Sequence, residues 1–190
     1  MRKVFFDAET KNVFQDVGKN EPALLDISLV CAYDSETGEY ASFLEEELPA
    51  FWKIVEKADI LVGFNSDHFD IPLLGKYYAG DLTKIKSVDL MREIKNSLGR
   101  RVGLNAVAEA TLGEKKSGHG LEAITWWKKG EIDKIRKYCM DDVRITKELY
   151  EYALKNGKLK YKDGNEIKDI ILDTSKWEEK KTNGLTKSLF

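Results

Sequence analysis

The apolar residues of this 190-residue chain change their period along its length. The first part is made of short strand-like runs. Lys3–Asp7 is an apolar run ending in acids, and Leu24–Tyr33 (LLDISLVCAY) is rich in β-branched residues. A turn signal over Asp34–Gly38 leads to a third run near Tyr40–Phe43, so these two strands read as a hairpin. Glu45–Lys57 takes helical spacing, with Leu48, Phe51, Trp52 and Val55 on one face. Ile60–Phe64 reads as a short buried strand, Asp70–Tyr78 as a helix with Pro72 in its first turn, and Ser87–Asp89 as a short fifth strand. From there the pattern is mostly helical, broken at Gly113, Gly118–Gly120 and Gly130, and it ends in a long helix over Ile132–Asn156 that Gly157 stops. Hairpin strands followed by strands that alternate with helices predict an α/β layered sheet of mixed direction. Lys158–Lys162 and Glu166–Asp173 flank Asp163-Gly164 and predict a C-terminal β-hairpin, followed by a polar tail anchored by Trp177.

The length suits one domain with a substantial core. With 31 basic and 33 acidic residues the net charge is −2, which argues against a protein that coats nucleic acid indiscriminately. The charge is uneven, however. Residues 1–81 carry 7 basic and 16 acidic groups, a net of −9, and residues 82–137 carry 13 and 7, a net of +6. Such a split is a reason to look for a binding face. MRKVFFDAET is too short and too charged an apolar run for a signal peptide, and no stretch approaches a membrane span, so a cytoplasmic location with no membrane partner is expected. Cys31 and Cys139 stand in apolar surroundings and read as buried free thiols. Only 2 His are present, so a metal site would have to be built from carboxylates, which suit Mg²⁺ or Mn²⁺.

Three segments could carry chemistry. In FFDAET, Asp7 and Glu9 are two apart at a strand end and share a face. Side by side they repel unless a cation lies between them. A lone D-x-E is common, and a strand end frayed into solvent explains it equally. GFNSDHFDIPLL, residues 63–74, contains Asn65, Phe69 and Asp70, with Asp70 (or Asp67) serving as a helix N-cap on the simplest reading. In RKYCMDDVRITKELY, residues 136–150, Tyr138 and Asp142 are four apart on one helical face, with Asp141 turned towards water.

In order, these segments spell D-x-E, N-x-x-x-F-D and Y-x-x-x-D. The pattern resembles the three exonuclease motifs of the DEDD superfamily, in the tyrosine (DEDDy) branch that includes the proofreading domains of family-B DNA polymerases. SVDLMREIKNSLGRRVGLNAVAEATLGEKKSG is similar to that family's stretch between its second and third motifs, and YCMDDVRITKELYEYALKNGKL resembles the end of predicted prokaryotic RNase H-like exonucleases. The histidine branch would place His five residues before the last Asp, where this chain has Lys137. The resemblance covers residues 1–157. It implies an RNase H-like mixed sheet for that part, with residues 158–190 forming the hairpin and tail packed on the same domain.

It further implies a 3′–5′ exonuclease that releases nucleoside 5′-monophosphates from single-stranded DNA by a two-metal-ion mechanism. Asp7, Glu9, Asp70 and Asp142 would hold two Mg²⁺ or Mn²⁺ ions, Asp7 bridging both, and Tyr138 would orient the attacking water. Thr10, Asn65 and Phe69 match family positions near the bound strand; core packing competes for Phe69. Lys84, Lys86, Arg92, Lys95, Arg100, Arg101, Lys115, Lys116, Lys128 and Lys129, with Trp126 and Trp127 among them, are either a single-strand groove or a solvated helical face. An exoribonuclease, with RNA as substrate, and a non-catalytic nucleic-acid-binding domain are the alternatives. A helicase or polymerase is the class of protein partner such an activity would serve; the oligomeric state is left open.

Overall fold

The computed structural model describes residues 1–114 and 120–179. β1 (Lys3–Thr10) is the middle strand of a five-stranded sheet. β2 (Ile27–Asp34) runs antiparallel beside it, and β3 (Glu39–Leu44) completes the hairpin at one edge. On the other side β4 (Ile60–Gly63) and β5 (Lys86–Asp89) run parallel to β1, giving the order β3-β2-β1-β4-β5. The mixed RNase H-like sheet expected from the sequence is therefore present. Its helices are α1 (Phe14–Val17), α2 (Leu48–Val55), α3 (Asp70–Gly75), α4 (Leu90–Leu98), α5 (Leu104–Leu112), α6 (Gly120–Lys128) and α7 (Ile132–Asn156). A separate hairpin follows, β6 (Lys158–Asp163) and β7 (Glu166–Ile171).

Two cores sandwich the sheet, and β1 feeds both because successive side chains point to opposite faces. Val4, Phe6 and Ala8 join Phe51 and Val55 of α2 and Leu73 and Leu74 of α3. Phe5 faces the other way, into a cluster with Ile135, Cys139, Val143 and Leu149 of α7. By the same alternation Asp7 and Glu9 follow Phe5 onto the α7 side. The hairpin packs into that cluster through Leu159 and Ile170, and Trp177 stacks on Tyr150 with ring centroids 5.2 Å apart. Each fully buried side chain of this size stabilises the fold by roughly 1.5–3 kcal/mol.

Several boundaries differ from the sequence reading. β2 starts at Ile27 rather than Leu24, because Pro22–Leu24 forms a 3-10 turn that leaves Leu24 exposed. The helix expected over Glu45–Lys57 divides into a 3-10 turn at Glu45–Glu47 and α2, with Pro49 in the first turn of α2. α3 stops at Gly75 instead of Tyr78. The short α1, closed by the Asp16 carboxylate accepting from the Val13 N–H (3.0 Å), had no clear apolar period to announce it.

Two irregularities in β1 prepare the site. Its pairing with β2 shifts register between Glu9 and Thr10, and its pairing with β4 extends only over Lys3–Phe5. The second half of β1 therefore has a side that β4 does not occupy.

Candidate active site

Asp7 and Glu9 sit on the α7-facing side of β1, with Glu9 only 8% exposed. Asp7 lies opposite Cys31 of β2, and the Cys139 thiol of α7 donates to the Asp7 carbonyl oxygen (3.3 Å). A carboxylate oxygen of Asp7, one of Glu9 and the Cys139 sulfur all fall within 4.8 Å of one another. Burial, then a hydrogen bond with Cys31, pushes the Cys139 thiol well above its usual pKa. A protonated thiol is a poor metal ligand, so the donors offered here are carboxylate oxygens.

Asp70 comes from the turn after β4. Gly63, the last residue of β4, is needed there: a Cβ at that position would lie 2.4 Å from the Ser66 side chain. Asn65 follows with φ +67°, a left-handed conformation that Asn tolerates better than most residues. The tight turn delivers Asp70 as the first residue of α3, with Phe69 in the N-cap position. The N-cap reading of Asp70 is thus overturned. Its Oδ1 accepts instead from the Ala8 N–H (2.9 Å), in the gap where β4 no longer pairs with β1. Asp67 does not cap either; it accepts from the Ser87 hydroxyl (2.5 Å) and pairs with Arg92.

Tyr138 and Asp142 face inward one turn apart on α7, 7% and 6% exposed. Burial, then the charges of Asp142, Glu9 and Asp7, raises the pKa of the Tyr138 phenol far above its ordinary range. Burial likewise raises the Asp70 carboxyl to about 7; the Ala8 N–H opposes this, and Asp89 and Asp142 add to it. The mutual influence of these groups is what proximity of like charges produces. Five residues from three distant segments thus meet at one end of β1. Buried carboxylates that repel one another and present hard oxygen donors fit a divalent cation such as Mg²⁺ or Mn²⁺.

A family model for the RNase H superfamily matches residues 4–154, most of the chain. The chain belongs to the RNase H superfamily. Among solved structures, this superfamily member resembles the family B DNA polymerase from the hyperthermophilic archaeon Pyrobaculum calidifontis, with 22% identity and a TM-score of 0.63. The match covers 81% of this chain and 24% of the polymerase. It also resembles Trypanosoma brucei RNase D, with 18% identity and a TM-score of 0.59 over 81% of this chain and 58% of that one. At these identities the likeness is one of fold. No curated protein gives a significant match.

Beside the carboxylate cluster lies a cleft of about 460 Å³. Glu9, Thr10, Phe14, Phe69, Leu121 and Ile124 are among the residues that line it. Thr10 is buried and its hydroxyl donates to the Asn12 carbonyl (2.9 Å). Phe69 meets Phe14 edge-on at 6.1 Å and packs partly into the α2–α3 core while lining the cleft. Asn65 lines a different cavity. Trp126 packs edge-on against Tyr138 (5.9 Å), and Lys11 lies over the Trp127 ring (5.0 Å). Lys115, Lys116 and His119 lie outside the described residues.

Sequence reasoning missed Asp89. Its carboxylate accepts from the backbone N–H groups of Asn65 (2.8 Å), Asp67 (3.1 Å), Met91 (2.9 Å) and Arg92 (3.3 Å). It joins the turn that delivers Asp70 to the start of α4. An Asp directly before the helical run LMREI is an N-cap signature that could have revealed it.

Proposed function

We propose that this RNase H superfamily chain is a metal-dependent exonuclease that removes nucleotides from the 3′ end of single-stranded DNA and releases nucleoside 5′-monophosphates. The observation that carries this reading is the convergence of Asp7, Glu9, Asp70, Tyr138 and Asp142 on one end of β1, beside an open cleft. Asp7, Glu9, Asp70 and Asp142 would hold two Mg²⁺ or Mn²⁺ ions. Bound there, such ions polarise a phosphodiester and lower the pKa of a water ligand.

The side chains supply the rest. Burial, then the charges of three neighbouring acids, disfavours the phenolate of Tyr138 while no cation neutralises those acids. From this position Tyr138 would orient the attacking water by hydrogen bonding. Cleft walls of Phe14, Phe69, Leu121 and Ile124 accept a base by apolar contact, which discriminates little between bases. Thr10, with its hydroxyl held by Asn12, contributes shape to the lining of the cleft.

The resemblance to RNase D supports a second substrate, RNA, for the same site. One experiment separates the readings. The protein is incubated with 5′-labelled single-stranded DNA or RNA in Mg²⁺, Mn²⁺ or EDTA. A ladder shortening from the 3′ end of DNA, with metal only, is the expected result. Preference for the RNA substrate makes the chain an exoribonuclease. Degradation of neither polymer in either metal overturns the enzymatic reading and leaves a binding domain.

A further inference from the structure

The two edges of the C-terminal hairpin are treated differently. β6 is closed on its outer side by α5: the Lys160 N–H donates to the Thr111 hydroxyl oxygen (2.9 Å), and that hydroxyl donates to the Lys160 carbonyl (3.2 Å). β7 is the other edge of this two-stranded sheet. The Leu172 N–H donates to the Gly157 carbonyl (2.9 Å), which sets the alternation along β7. Glu166, Lys168 and Ile170 bond to β6, while Ile167, Asp169 and Ile171 turn their N–H and C=O groups to the open edge. Those outward groups meet no backbone partner among the described residues.

The same three residues share a face. Ile170 points inward and is fully buried, whereas Ile167 and Ile171 are 62% and 66% exposed. Natural sheets guard an open edge with charge or proline, and two bare isoleucines there invite another strand. Their spacing is symmetric, two residues to either side of Asp169. A second β7 laid antiparallel about a twofold axis at Asp169 sets Ile167 opposite Ile171 of the second copy, and the reverse. The outward backbone groups then face each other and form about six hydrogen bonds. The two Asp169 carboxylates meet at the axis. Each is held by Lys158 of its own copy (2.7 Å) and stands across the hairpin from Lys160, so the like charges are offset locally.

We propose that β7 is a self-association edge, at which two copies of this chain join their hairpins into one four-stranded antiparallel sheet, β6-β7-β7-β6, sealed by the Ile167–Ile171 pairs. A one-residue slip is excluded, since it would set the outward groups of one strand against groups already bonded to β6. Two short strands and their isoleucines bury less than the roughly 1,200 Å² of a stable interface, so the dimer is weak and depends on concentration. Neither strand contributes to the carboxylate cluster, and the pairing is independent of the exonuclease reading.

Sedimentation equilibrium of the full chain, from about 10 μM to about 1 mM, should show a reversible monomer–dimer equilibrium. Ile167→Lys/Ile171→Lys should weaken it at least about tenfold. Two substitutions at the axis should act in opposite directions. Asp169→Asn removes the facing charges and should tighten the dimer about two- to fivefold, a gain that a damaged fold cannot produce. Asp169→Pro keeps the bonds to β6 but removes the N–H at the axis, and should abolish the dimer without lowering the melting temperature of the dilute chain. A chain that is monomeric throughout overturns the proposal and leaves the edge to a strand of another protein. A dimer that ignores all three variants overturns it as well, because the contact then lies elsewhere.

Discussion

The turns after β4 and after β5 each bury an aspartate, and the two carboxylates are served very differently. Asp89, at the end of β5, collects four backbone N–H groups. Asp70, beginning α3, receives the Ala8 N–H and a hydrogen bond from its own backbone, while Asp142 and Asp89 press on it with like charge. A buried carboxylate with its lone pairs filled by amides is a clasp. Burial raises the pKa of both carboxyls; at Asp89 the amides of Asn65, Asp67 and Arg92 oppose it, whereas Asp70, with fewer donors and beside other acids, is suited to a cation. The two stand on either side of one short turn, so the stable junction holds the unstable one in place.

Substitutions can break this contrast. The largest effect is expected from Asp70→Asn, which keeps an oxygen for the Ala8 N–H but removes the charge. Metal-dependent degradation should fall to the detection limit while the fold melts no lower than before. A variant that retains activity would return Asp70 to a structural role. Next, Asp89→Ala strands four amide donors and should lower folding stability by about 2–4 kcal/mol, measured by chemical denaturation. A loss below about 0.5 kcal/mol would show that the clasp is dispensable. Tyr138→Phe should slow hydrolysis by about 10–100-fold with metal affinity kept; full activity would remove Tyr138 from the reaction.

The smallest effect sharpens the contrast through pH. The folded-state pKa of Asp70 is raised from 3.8 to about 7, so the folded chain holds this proton more tightly than the unfolded one. Its stabilising contribution is complete below about pH 4 and is lost as the pH rises through 7. In EDTA the melting temperature should fall by a few degrees across that window. Millimolar Mg²⁺ should reverse the fall, and Asp70→Asn should abolish it. A melting temperature equally pH-dependent in Asp70→Asn would assign the effect to other groups.

Much of the fold was legible because it is written locally. The period-two alternation of β1 placed Asp7 and Glu9 together, and the spacing of α7 placed Tyr138 with Asp142. α7 itself was read with its observed ends, since Gly157 takes the left-handed conformation that stops a helix. What was missed is non-local. Nothing near Asp70 tells that β4 parts from β1 after Phe5, yet that gap turns a presumed cap into a ligand for the Ala8 N–H. The same holds for Asn65, which takes a left-handed backbone and lines a second cavity. The approach of Cys31 and Cys139 beneath Asp7 joins a strand to a helix more than a hundred residues away.

The contact between Trp126 and Tyr138 has a practical consequence. An indole whose ring lies 5.9 Å from the phenol, at the edge of the acidic cluster, is a built-in optical reporter. The stacked Trp177 and the core-packed Trp52 stand in other surroundings and supply a steady background. Emission from the unlabelled chain should therefore follow the filling of the cluster by cations in real time, before any bond in a nucleic acid is cut.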